Sequence, residues 1–240
     1  MIDLALIYYS LFIGVFIFTF AKALSQTRAI WKYIHSLHNA YLYMVWIEIW
    51  VNFVFTLITF LFLNSIIQGS LSFLLASVIL WSIQTQLLPQ IIANRGLAII
   101  ITPINIAVSY IWTTAHLGGA TPTQQHVNVV FEKAEKAFFL VIDLSLNLYF
   151  LYLVRSSLIA NSLDKYWRLF NFNAGMVFIS TSMDILLLGF LSLPDPYLYI
   201  QFSPLAYIVK LYIELLIASL ISKVARGSWC NQGEAWYSNS

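Results

Sequence analysis

The sequence predicts an all-α fold: a polytopic membrane protein built as a seven-transmembrane-helix bundle, with its N-terminus outside and its C-terminus cytoplasmic. Three observations predict it. The chain has 240 residues, of which 60% are hydrophobic and only 9% charged, whereas an ordinary soluble domain is about 25% charged. So few charges cannot cover a soluble body of this size, which makes lipid the natural solvent. The apolar residues also gather into seven segments bounded by polar or Gly/Pro clusters, and a bilayer span needs roughly 20 mostly apolar residues. Finally, Lys and Arg fall on alternate connections, the pattern that orients membrane helices.

The segments follow in order. Span 1 runs from Leu4 to Leu24. The opening "MIDLALIYYSLFIGVFIFTFAKALS" has no basic n-region and its apolar run exceeds an h-region, so it reads as a retained helix rather than a cleaved signal peptide. Span 2 covers Tyr41 to Leu63, and span 3 covers Leu71 to Ile92 with Pro89 a kink near its end. Span 4 runs from Leu97 to Thr114 and contains Pro103. Only "ANRG" separates spans 3 and 4, so a single re-entrant hairpin is the alternative there. Span 5 covers Phe138 to Val154, span 6 Phe170 to Leu191, and span 7 Pro204 to Ile221. "VNVVFEKAEKAFF" reads as an outer extension of helix 5, and "LSLPDPYLY" as a tight outer turn, because its prolines stop a helix. Residues 1–226 then form the membrane domain, and 227–240 a loose polar cytoplasmic tail.

Orientation rests on charge. Lys22, Arg28, Lys32, Arg95, Arg155, Lys165, Arg168, Lys223 and Arg226 fall on one side. The other side has only Lys133 and Lys136, each beside Glu132 or Glu135. The basic side is the cytoplasmic one. Tyr41, Tyr43, Trp46, Tyr166 and Trp167 lie at the edges of spans, where aromatic belts form. The expected setting is the endoplasmic reticulum or another endomembrane.

Several function classes drop out. A net charge of +2 is too small to point to nucleic acid, and the single cysteine, Cys230, excludes an internal disulfide. "GGATP" lacks the Lys-Ser/Thr step of a phosphate loop and is a turn. His35 and His38 in "HSLH" have metal-ligand spacing but no third ligand nearby in sequence, and read as an interfacial helix face. No metal or cofactor is expected, and no protein partner is implied.

Five ionisable residues fall well inside the apolar segments: Glu48, Asp143, Asp184, Lys210 and Glu214. Each costs about 2.5–3.5 kcal/mol at a helix centre, so each must face the interior, pair, or meet water. Counted along the helix at 1.5 Å per residue, Asp143, Asp184 and Lys210 lie roughly 10 Å from the outer ends of their helices. Glu48 and Glu214 lie roughly 13 Å from the cytoplasmic ends. The outer level therefore joins helices 5, 6 and 7, and the inner level joins helices 2 and 7. Lys210 and Glu214 share a face at i, i+4. Asn52 lies one turn from Glu48 and Asn147 one turn from Asp143, while Gln84, Gln86 and Gln90 add polar groups on span 3. The alternative for each level is structural: a buried ion pair that fixes register, or a protonated acid held by hydrogen bonds.

The functional reading is a water-lined cavity. Spans 2 and 5 mix aromatics with acids on single helices. An aromatic wall beside a protonated acid is the chemistry that starts and steers a carbocation, since ring faces attract cations. The candidate catalytic groups are Asp143, Asp184, Glu48 and Glu214. The candidate substrate-binding groups are Lys210, Asn147, Asn52, Gln86, Trp46 and Tyr149. The partner in this reading is a lipophilic small molecule in the bilayer.

The blocks "FEKAEKAFFLVIDLSLNLYFLYLVR", "KYWRLFNFNAG", "STSMDILLLG" and "LSLPDPYLYIQFSPLAYIVKLYIELLIASLISKV" resemble a family of largely uncharacterised fungal seven-helix integral membrane proteins. The similarity runs from Asn39 to Arg226. It implies the architecture and sets Asp143, Asp184, Lys210 and Glu214 in recognisable blocks, without giving them roles. Fungal membrane-bound meroterpenoid terpene cyclases share the outline by architectural analogy, as small seven-helix proteins with intramembrane acids. That analogy implies a cyclase or isomerase acting on a prenylated substrate. Microbial-type rhodopsins are similar in topology and in a helix 7 lysine, where Lys210 stands. Span 3 departs from them, offering only glutamines in "ASVILWSIQTQLLPQ" where a counterion acid belongs. A receptor or sensor, and a proton-coupled carrier using both polar levels, are the alternatives to an enzyme.

Overall fold

The computed structural model describes residues 2–34, 40–64, 66–67, 71–93, 98–116, 121–160, 167–193 and 196–237. These form seven helices and, among the described residues, no strand. They are α1 (Ile2–Ile34), α2 (Ala40–Leu63), α3 (Leu71–Ala93), α4 (Ala98–His116), α5 (Pro122–Ala160), α6 (Trp167–Leu191) and α7 (Pro196–Tyr237). The "HSLH" connection and residues 94–97 lie outside the described residues.

Helices α1, α5 and α7 outrun the apolar segments that announce them, each for a local reason. The polar run after Leu24 stays helical because it docks: Gln26 Nε2 donates to the Leu215 carbonyl at 2.6 Å, and Thr27 Oγ1 accepts from Trp46 Nε1 at 3.1 Å. Helix α5 starts sixteen residues before Phe138, at Pro122. There Thr121 forms a capping box. Its backbone N–H donates to Gln124 Oε1 at 2.8 Å, and the Gln124 N–H approaches Thr121 Oγ1 at 3.4 Å. Pro122 occupies the first helical position, where no N–H is missed.

Two corrections concern α7. It does not begin at Pro204 but eight residues earlier, at Pro196, and it runs through Pro204. The stretch 227–237, expected as a loose tail, continues the helix to Tyr237. No proline follows Pro204, and Gly227 and Gly233 each cost only about 1 kcal/mol against Ala, too little to end a helix.

Successive helices pack side by side from α1 to α7, and α7 returns to α1. Helix α7 also touches α2 and α3, so it has neighbours on nearly all sides. Its residues Ala206, Ile208, Leu211 and Leu215 are fully enclosed in the main apolar core, with Phe12 of α1 and Val45 and Ile49 of α2. Aromatic rings close the α1–α2 seam: Tyr9 stacks on Phe60 at 4.4 Å and Phe20 meets Trp46 edge-on at 5.3 Å. The outer surface is apolar, with Phe18, Tyr110, Tyr152 and Phe178 among its exposed rings.

Among the described residues, four helical stretches are long and apolar enough to cross a membrane: Leu6–Lys32, Ala40–Leu63, Phe170–Leu191 and Leu198–Ser219. A multi-pass membrane protein follows from them. Helices α3 and α4 turn polar side chains toward each other. Gln86 Nε2 donates to Thr102 Oγ1 at 2.9 Å, Asn105 Nδ2 donates to Gln86 Oε1 at 3.1 Å, and Ser82 pairs with Ser109 at 2.9 Å, all across the α3–α4 seam.

The central place of α7 yields a prediction. Leu211→Ala leaves a cavity at a fully enclosed position and is expected to cost about 2–4 kcal/mol. Phe178→Ala, at a position 74% exposed, is expected to cost far less. Thermal unfolding in detergent distinguishes the two, and equal midpoints would contradict the central packing of α7.

Candidate functional site

The site begins with the register of three helices. Asp143 on α5 and Lys210 on α7 are buried, Asp184 on α6 is half-buried, and the three meet at one level. Lys210 Nζ donates to both oxygens of Asp184 at 2.8 Å and lies 3.2 Å from Asp143 Oδ2. Asp143 Oδ2 also accepts from Asn147 Nδ2 at 3.2 Å and from Ser180 Oγ at 3.4 Å. One ammonium thus serves two carboxyl groups, and an amide and a hydroxyl fill the remaining positions around Asp143.

This cluster lines a cleft between α3, α5, α6 and α7 with a cavity volume of about 40 Å³, opening into about 560 Å³ of space shared with its mouth. Apolar side chains make most of its wall, including Leu88, Phe139, Ile142 and Leu146, with Tyr207 beside Lys210. A few polar groups converging on an apolar hollow is the usual composition of a small-molecule site.

The structure distributes the other candidates elsewhere. Glu48, fully enclosed, accepts from Asn52 Nδ2 at 2.9 Å, and Gln84 Nε2 of α3 donates to Asn52 Oδ1. This makes an α2–α3 link. Glu214 is buried one turn beyond Lys210, with Asp143, Lys210 and Tyr41 of α2 as its electrostatic neighbours.

Trp46, Gln86 and Tyr149 do not line this cavity. At 100° per residue, Trp46 points about 160° away from Glu48 on α2, into the α1–α2 seam where it bonds Thr27. Gln86 points a similar angle away from Gln84 on α3, onto α4. Tyr149 lies about 120° around α5 from Asp143 and is 61% exposed on the outer surface.

The burial of one pair was not anticipated from sequence. Glu135 and Lys136, on the expected outer extension of helix 5, are buried, and Lys136 lines the same cavity as Asp143. The signal was present. Lys136 precedes Asp143 by seven residues, about two turns, so both fall on one stripe of α5.

No family model, curated protein or solved structure matches the chain.

Breaking a buried pair leaves a charge uncompensated and costs roughly 3–5 kcal/mol. Lys210→Met is therefore expected to lower stability by about 3 kcal/mol. The triple variant Lys210→Met/Asp143→Asn/Asp184→Asn, which leaves no charge behind, is expected to recover most of that loss. Chemical denaturation of both in mixed micelles checks it; a triple variant as weak as Lys210→Met would count against the shared ion pair.

Proposed function

We propose that the protein is a seven-span membrane enzyme, N-terminus outside and C-terminus cytoplasmic, that protonates a lipophilic substrate in the cavity between α3, α5, α6 and α7. One observation carries this reading: two carboxyl groups share a single ammonium at the wall of an apolar cavity. Were all three groups ionised, one negative charge would stay unbalanced where little water screens it. A proton on the Asp143–Asp184 pair removes that charge and makes the pair a carboxylic acid facing the cavity. Lys210 then keeps the second carboxyl ionised and in place. Seven spans fit the apolar segmentation, and the basic excess on one side supports the orientation and an endomembrane setting.

A terpene-cyclase-like reaction suits these parts. The acid proton passes to an epoxide or alkene of a prenylated substrate. With an epoxide, the C–O bond opens to leave a hydroxyl and a carbocation. A neighbouring alkene donates its π pair to close a C–C bond and moves the positive charge onward. Loss of a proton from the final cation to the Asp143–Asp184 pair forms the product alkene and restores the acid. The ring faces of Phe139 and Tyr207 in the cavity wall are suited to the passing cation.

Positioned acids contribute typically 10²–10⁴-fold to rate. Asp143→Asn and Asp184→Asn are each expected to lower turnover of aryl prenyl epoxides in proteoliposomes at least about 10²-fold. Full activity in both amide variants, or no cyclised product from the unaltered protein across the epoxide panel, would overturn the reading.

Glu214 favours a second reading, a proton-coupled carrier. Its place one turn from Lys210 puts a further acid in line with the cluster along α7. Proteoliposomes loaded with a pH-sensitive dye are then expected to show proton flux that Glu214→Gln removes. Liposomes that stay proton-tight would set the carrier aside.

A further inference from the structure

The protonation chemistry above uses one end of the cavity. The other end holds a second ammonium. Lys136 and Asp143 share a face of α5, about 10 Å apart along its axis. Lys136 is 7% exposed and lines the cavity with Asp143, Asp184 and Lys210. An ammonium carries three hydrogen-bond donors, yet Lys136 Nζ has no acceptor. Glu135 Oε2 stands 3.6 Å away, beyond hydrogen-bond reach, and both Glu135 carboxylate oxygens lack donors. The Trp81 ring centroid lies 4.4 Å from Nζ. Carboxylate and ring face balance the charge, but neither uses the donors. Buried donors left unused are destabilising, and the lysine stem is long and flexible enough to turn Nζ into the cavity.

We propose that Lys136 anchors the head group of the substrate. It donates to a neutral carbonyl oxygen at one end of a lipophilic molecule, whose reacting group then lies about 10 Å farther along α5, at Asp143 and Asp184. The proposal rests on the cavity being the substrate site, and it adds the substrate's polar end. A carbonyl fits better than a carboxylate because Glu135, Asp143 and Asp184 already place three carboxyl groups around two ammoniums. A further anion has no counter-charge, whereas a neutral acceptor needs only the unused donors. The apolar wall between the two ends, including Phe139 and Ile142, suits a hydrocarbon chain.

The test is equilibrium binding in nanodiscs with three radiolabelled probes of equal chain length: a methyl ketone, an alkane and a carboxylate. A hydrogen bond to a charged donor corresponds to a factor of about ten or more in affinity. The ketone is expected to bind at least about tenfold more tightly than the alkane, and more tightly than the carboxylate. Lys136→Met is expected to bring the ketone down to the alkane's affinity. That variant strands Glu135, so Glu135→Gln/Lys136→Met, which leaves the site uncharged, is measured beside it and is expected to show the same loss. Equal binding of ketone and alkane by the unaltered protein, or ketone preference surviving in the double variant, would overturn the anchor. Binding is read without turnover. A protein that prefers the ketone through Lys136 but cyclises no epoxide keeps the anchor and loses the acid chemistry. One that cyclises epoxides without ketone preference does the reverse.

Discussion

Away from water an ammonium must keep its carboxylates, and Lys210 imposes that demand on three helices at once. Its partners come from α5 and α6, so α5, α6 and α7 can neither slide nor rotate independently. A one-residue shift of α7 turns Lys210 by 100° and moves it 1.5 Å along the axis, enough to take Nζ out of reach of Asp143 and Asp184. The gain is mainly in register. Desolvating three charged groups offsets much of their mutual attraction, so such a cluster specifies an arrangement more than it stabilises one. The remaining cohesion comes from packing. The fully enclosed Ala206 lets neighbours approach α7 closely, and Ile208, Leu211 and Leu215 fill the space around it.

The α2–α3 and α3–α4 seams solve the same problem without charge pairs. Asn52, Gln84, Gln86 and Asn105 each bring a donor and an acceptor on one side chain, so an amide chain can pass from helix to helix and need no counter-ion. Glu48 is the one acid on that side of the structure, and its tie is to Asn52 rather than to a lysine. The polar groups of α3 and α4 are spent on seams with neighbours, which leaves their outer faces free for Ile79, Ile106 and Tyr110.

How far the sequence could be read depended on which coordinate was counted. Depth along the helix is nearly independent of neighbours, so Asp143, Asp184 and Lys210 could be assigned to one level from residue numbers alone. Angle around the helix was available too, yet composition pulled against it. Trp46 and Tyr149 look like cavity aromatics because acids stand near them in sequence, while the 100° step turns both away. Which helices flank α7 on each side, and so which groups Glu48 and Glu214 meet, is a tertiary fact that no single segment contains. Lys136 was missed for another reason. "FEKAEKAFF" is legible as an extension of helix 5, but counting charges per segment pairs Lys136 with Glu135 and hides the seven-residue spacing that puts it on the stripe of Asp143.

That stripe gives the cavity its polarity. Helix α5 carries Lys136, Asp143 and Asn147 on one stripe, so the distance from the outer ammonium to the acid pair is fixed by helical rise rather than by a loop. Helix α7 contributes Lys210 and Tyr207 from the opposite wall and is itself held by rings of α1 and α6, with Tyr8 and Phe190 against Phe202 at 5.9 and 4.8 Å. A molecule in this cavity lies between two rigid walls whose polar groups stand at opposite ends of an apolar stretch. Under the proposed anchoring, such a space would discriminate by length as well as by chemistry, since a polar end seated at Lys136 would decide which atom of the chain meets Asp143. Selectivity of this kind would require that α5 and α7 keep their register, and that register depends on Lys210: in the proposed enzyme, the contact that aligns the helices would also set where along a bound chain the acid acts.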